Sequence, residues 1–242
     1  MSLKKKKISI SAIIAAISFI YLAFCPYVLN PIIYNIILGQ PFLSIIRSFF
    51  ASIFALNNII NFIACLVMIV GIFTKFDKIA ATITSALFWL SSLINLITLF
   101  INANKMGHFA HLPLSVFSQL SFMFSYFLMF AVSLWLTIMF FTKKEPPKFL
   151  KVLIFVPVAI LGLIFLFSFI SNLIGLITNL LSGMYGKFLL YSMFTVFGGI
   201  FSTLVLLIGF TAVAIKLADL KKKPKNLVEI SEDVVIENVT TE

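Results

Sequence analysis

The 242-residue chain is 62% hydrophobic and only 11% charged, against about 25% charged residues in a soluble domain. It lacks the polar side chains to clothe a water-facing surface. Its net charge of +10 does not indicate a nucleic-acid partner, because the basic residues sit in short clusters at the ends of apolar segments. There they act as topology signals and meet the anionic head groups of a lipid bilayer.

Residues 1–7 carry Lys4, Lys5, Lys6 and Lys7 and read as a basic cytoplasmic N-terminus. The first apolar segment, Ile8–Leu29, follows at once. A basic stretch before an apolar one also begins a signal peptide, but the large Phe24 precedes Cys25 where a cleavage site needs a small residue. An uncleaved anchor is expected. Pro31–Ser48 is apolar for a connection, with Ile32, Ile33, Ile36 and Phe42, and suits a short interfacial or re-entrant helix.

The second span is expected at Phe50–Phe73. Asn57, Asn58 and Asn61 share one of its faces by i+3 and i+4 spacing. Lys75 and Lys78 separate it from the third, Ile79–Ile101, where Ser91, Asn95, Thr98 and Asn102 form a continuous stripe. Asn57 and Asn95 fall at matching depth, about 10 Å from the same boundary, so they are placed to meet across an interface. The next connection holds Lys105, His108 and His111. Two histidines without a nearby carboxylate or thiol fall short of the four ligands of structural zinc, so no metal site is expected.

The fourth span, Val116–Phe141, carries Ser118, Ser121 and Ser125 beside Gln119. Lys143, Lys144, Lys148 and Lys151 flank the stiff Pro146-Pro147 turn. The fifth, Phe149–Leu181, presents Ser168, Asn172, Gly175 and Asn179 on one face. The sixth, Leu189–Ile215, contains Gly198, Gly199, Ser202 and Thr203, small residues spaced for close helix packing, within the chain or against a protein partner in the membrane. Lys216, Lys221, Lys222, Lys223 and Lys225 follow. Residues 217–242 then read as a flexible cytoplasmic tail, with five acidic residues after Lys225.

The architecture expected is all-α: a polytopic integral membrane protein with six transmembrane helices occupying residues 8–216. Fifteen of the 18 Lys and Arg lie on one side of those spans, leaving Arg47, Lys105 and Lys187 on the other. By the positive-inside rule both termini are cytoplasmic, in the cytoplasmic membrane of a cell. Two weak similarities hint at related hairpins: Leu93–Thr98 resembles Leu173–Thr178, and Phe-Thr-Lys closes both the second and the fourth spans.

No Asp, Glu or His lies within the spans. Ion-coupled transporters use such residues as relays, and intramembrane hydrolases need a nucleophile with a base or metal ligands. No enzymatic activity and no cofactor are therefore expected. The neutral polar residues leave two readings open. One is hydrogen-bonded glue between helices, routine in bundles. The other is a pocket for a neutral polar or amphipathic molecule, with Asn57, Asn58, Asn61, Ser91, Asn95, Ser125 and Asn172 as candidate contacts. Amides both donate and accept, which suits a hydroxylated or amide-bearing ligand over a bare ion. Alternatively the chain is a non-catalytic subunit of a larger complex, docking through Gly198, Gly199 and Ser202.

Overall fold

The computed structural model describes residues 9–24, 30–74, 76–106, 112–183 and 186–218. The basic N-terminal cluster, Cys25, His108, His111 and the tail beyond Ala218 lie outside them. Among the described residues the regular structure is entirely helical: α1 (Ile10–Phe24), α2 (Asn30–Ile37), α3 (Phe42–Ile53), α4 (Leu56–Phe73), α5 (Asp77–Met106), α6 (Leu112–Phe141), α7 (Lys148–Leu153), α8 (Phe155–Leu181) and α9 (Lys187–Ala218).

Among the described residues, five stretches are long and apolar enough to cross a membrane: Leu56–Phe73, Asp77–Asn102, Val116–Phe141, Lys148–Leu181 and Leu189–Ala218. This is the architecture of a membrane-embedded bundle. Ile8 and residues 25–29 of the segment expected as a first span lie outside the described residues; within them α1 has 15 residues and reaches about 22 Å, short of the roughly 30 Å hydrocarbon core. It is nevertheless integral to the fold. Ala15 and Phe19 are fully buried, and the Phe19 ring meets Phe210 of α9 edge-on at 5.6 Å.

Two expected boundaries also move. The second span was expected to start at Phe50, yet that residue belongs to the separate helix α3, and α4 starts at Leu56. Asn58 Nδ2 donates to the Ser52 carbonyl at 2.7 Å, taking up a group freed where α3 ends. The apolar Pro31–Ser48 stretch accordingly forms α2 and the first part of α3, joined by a turn in which Gly39 takes φ +68°. In the fifth span a break at Ile154 divides α7 from α8. Pro157 has no N–H for the carbonyl of Leu153 and its ring crowds it. The Phe-Thr-Lys repeats do mark helix ends, at Phe73 and Phe141.

The six principal helices close a ring in chain order: α1 packs on α4, α4 on α5, α5 on α6, α6 on α8, α8 on α9, and α9 returns to α1. Antiparallel neighbours bring Lys78, Lys143, Lys144, Lys148, Lys151 and Lys216 to one end, and the halves of the ring differ in packing. In the lysine-rich half Gly71 lets α4 and α5 nearly touch, since a Cβ there would stand 2.0 Å from that of Ala80. Gly209 likewise admits Ser18 of α1. Thr84 Oγ1 donates to the Ala64 carbonyl at 3.0 Å, and Thr82 and Thr137 hydroxyls bond at 3.1 Å. Lys216 donates to the Ile72 carbonyl and pairs with Asp77 at 3.5 Å, tying the end of α9 to the α4–α5 hairpin. In the opposite half, no residue of described exposure is buried beyond Ser92 on α5, before Ser125 on α6, or before Leu206 on α9.

Candidate functional site

Where the packed half gives way to the looser one, a chamber of about 220 Å³ lies inside the ring. Its polar walls come from four helices: Asn61 of α4, Ser91, Ser92 and Asn95 of α5, Gln119 of α6, and Ser202 and Thr203 of α9. Phe88, Phe122 and Tyr126 also line it. Behind them an aromatic plug closes the side toward the lysines. Phe88 stacks on Tyr126 at 5.3 Å, both rings meet Phe210 at 5.8 Å, and Phe210 meets Phe19. The walls are polar because Ser91 and Asn95 are one turn apart on α5, on the face that turns toward α4.

The amides divide into two kinds. Asn57 Nδ2 donates to Asn95 Oδ1 at 2.6 Å, joining α4 to α5 at the depth the sequence suggested. Asn179 Nδ2 donates to Ser192 Oγ at 2.9 Å, joining α8 to α9. These bonds hold helices together. Asn61 Oδ1 and Ser91 Oγ are different: both atoms are buried, their residues line the chamber, and neither atom has a hydrogen-bond partner among the described residues. The two residues are 8% and 2% exposed. A buried polar atom left unpaired costs about 1–3 kcal/mol, so this pair calls for a donor to the amide oxygen and a partner for the hydroxyl.

A second cavity, of about 310 Å³, is walled by α5, α6 and α8. Ser118, Gln119, Ser168, Ser171 and Asn172 supply its polar lining, with Leu99 and Phe167 as apolar members. Gln119 lines both cavities. Among the described residues no charged side chain lines either one.

Of the seven candidate contacts, Asn61, Ser91 and Asn95 meet in the chamber and Asn172 lines the neighbouring cavity. Asn57 stands behind the wall, bonded to Asn95. Asn58 serves the α3–α4 junction. Ser125 is buried outside the chamber lining, donating at 2.9 Å to the Pro157 carbonyl and joining α6 to α8. The sequence did not single out Ser92, Phe88, Phe122, Tyr126 or Thr203 as a ligand contact. Ser202, read as a packing residue, also lines the chamber. Gly198 and Gly199 make no close approach within the chain, as a Cβ at either would have no neighbour within 4 Å.

Cys65 is buried and free. Among the described residues no three His, Cys, Asp or Glu side chains gather where they would hold a metal ion. No protein family matches the chain, and neither does any curated protein or solved structure.

Proposed function

We propose that the chain is a non-enzymatic, six-span protein of the cytoplasmic membrane that binds a neutral polar or amphipathic small molecule in the chamber. Both termini are cytoplasmic on this reading, so the chamber lies toward the outside. Transport of the bound molecule is the natural extension, because the aromatic plug separates the chamber from the lysine-rich side. The observation that carries the reading is the pair of buried atoms without a hydrogen-bond partner among the described residues, Asn61 Oδ1 and Ser91 Oγ, on two residues that line one cavity. Helix-joining amides satisfy each other, as Asn57 and Asn95 do. An unpaired acceptor on a residue beside a hollow supports a ligand instead. The uncharged lining disfavours an ion, whose desolvation would go uncompensated.

The test is native mass spectrometry of the protein extracted in mild detergent from its own membrane. A reproducible small-molecule mass that disappears in the Asn61→Leu variant supports the reading, provided the variant melts as the wild type does. A bare chain in both preparations contradicts it.

A second reading rests on the unused glycines. Gly198 and Gly199 are spaced for close packing, and no described helix approaches within 4 Å of where a Cβ at either would stand. That supports a membrane partner at this face, with the protein as a non-catalytic subunit. A stoichiometric second polypeptide in the same spectra, lost in Gly199→Leu, is the outcome expected of it.

A further inference from the structure

The chamber and the second cavity share Gln119, and their walls follow one another along two helices. On α5 the chamber is lined by Ser91, Ser92 and Asn95, and the second cavity by Leu99. That is one turn, or about 6 Å, further from the lysine-rich end. The order on α6 is the same: Phe122 and Tyr126 line the chamber, Gln119 lines both, and Ser118 lines the second cavity. Leu99 and Ser118 each stand about 10 Å from the ends of their helices at Met106 and Leu112. The second cavity is therefore the nearer of the two to the end of the α5–α6 hairpin opposite the lysines.

Aromatic contacts bound this pair of cavities. The plug of Phe88, Tyr126 and Phe210 closes the chamber toward the lysines. Beside the second cavity Phe117 meets Phe167 at 5.9 Å and bridges α6 to α8. The lining chemistry of the two is alike, with amides and hydroxyls next to aromatic rings. Ser121 and Ser125 of α6 donate to the Phe117 and Pro157 carbonyls. By contrast, Ser118, Gln119, Ser168, Ser171 and Asn172 make no side-chain hydrogen bond among the described residues.

We infer that the two cavities are consecutive subsites of one site, entered from the outer water through the second cavity, for a neutral saccharide of at least two units. This rests on the chamber being a ligand site and the lysine-rich end cytoplasmic, and it adds the ligand's class, length and route. Sugar hydroxyls donate and accept at once, as the amides do, and the C–H face of a sugar ring covers an aromatic ring such as Phe122 or Phe167. One unit takes Asn61 and Ser91 in the chamber, the next takes Ser168 and Asn172, and Gln119 serves both. The chamber's 220 Å³ falls short of the roughly 300–1,000 Å³ of ordinary ligand sites, whereas the two cavities together lie within that range. A charged ligand is disfavoured because neither lining offers a counter-charge.

The test uses full-length protein in right-side-out membrane vesicles, with Cys25 and Cys65 replaced by alanine. Ser92→Cys reports on the chamber and Ser168→Cys on the second cavity. Each is exposed to a small polar, membrane-impermeant thiol reagent, alone and with maltose, sucrose, trehalose, lactose or glycerol. The expected result is modification of both reporters, slowed at least tenfold at both by the same disaccharide and little by glycerol. Gln119→Leu should weaken that protection at both positions, and Ser171→Trp, which fills the second cavity, should slow modification of Ser92→Cys at least tenfold. Unchanged modification of Ser92→Cys in folded Ser171→Trp protein overturns the route and leaves the chamber reading standing. Protection at one reporter alone, or by glycerol as well as by a disaccharide, overturns the two-subsite site in the same way. Protection by none of the disaccharides overturns the saccharide. A Ser92→Cys thiol that the reagent never reaches overturns both this inference and the chamber reading.

Discussion

The two halves of the bundle contain similar residues and put them to different use. In the lysine-rich half, hydroxyls are consumed by the fold: Thr82, Thr84, Ser85 and Ser133 all find protein partners. Glycines there admit neighbouring helices, and aromatic rings interlock. In the opposite half Asn57–Asn95 and Asn179–Ser192 bonds still join helices, but Asn61 Oδ1 and Ser91 Oγ have no partner among the described residues, and a Cβ at Gly198 or Gly199 would meet no neighbour within 4 Å. The difference teaches that small and polar residues in a membrane bundle are not intrinsically glue. Their role depends on whether a neighbouring helix comes close enough to use them.

The comparison is broken most forcefully at the plug. Phe19→Ala removes a fully buried ring and should lower stability by about 3–5 kcal/mol, whereas Phe117→Ala, on an exposed residue of the looser half, should stay within about 0.5 kcal/mol. Unfolding in mixed micelles measures both. Equal costs would mean that the looser half is packed as well.

Glycine substitutions sharpen the contrast. Gly71→Val drives side-chain atoms into Ala80 and should cost about 1–3 kcal/mol. Gly198→Ala, with open space around it, should be neutral or stabilising by up to about 1 kcal/mol through helix propensity. The same unfolding assay reads both changes, and a destabilising Gly198→Ala would reveal a packing role for that glycine.

Smaller effects follow at the polar contacts. Lys216→Met removes the half-buried pair with Asp77 and the bond to Ile72, and should cost about 1 kcal/mol after screening by solvent. A double-mutant cycle on Asn57→Ala and Asn95→Ala should return a coupling near 0.6 kcal/mol, the average for such bonds in membranes. Asn61→Ala combined with Asn57→Ala should show none, since Asn61 Oδ1 has no protein partner to lose.

Much of this was legible in the chain. Apolar length gave the helical class, Phe-Thr-Lys marked the ends of α4 and α6, and counting turns matched Asn57 to Asn95. Other features depend on tertiary register. The break between α3 and α4 is hidden because residues on both sides of it are equally apolar. Gly71 and Gly209 outrank Gly198 and Gly199 as close contacts because Ala80 and Ser18 happen to face them, which spacing along one helix cannot show. The unpaired state of Asn61 and Ser91 arises for the same reason: their own helix faces are readable, but the gap opposite them is not.

Thr84 and Ser91 offer the most direct test, because they lie seven residues, or about 10 Å, apart on one face of α5. Each would be changed to cysteine in a background without Cys25 and Cys65 and exposed to a membrane-impermeant thiol reagent. The expected result is modification of Ser91→Cys from the side opposite the termini and protection of Thr84→Cys behind the aromatic plug. Equal modification of the two, or protection of both, would contradict a bundle sealed in one half and hollow in the other.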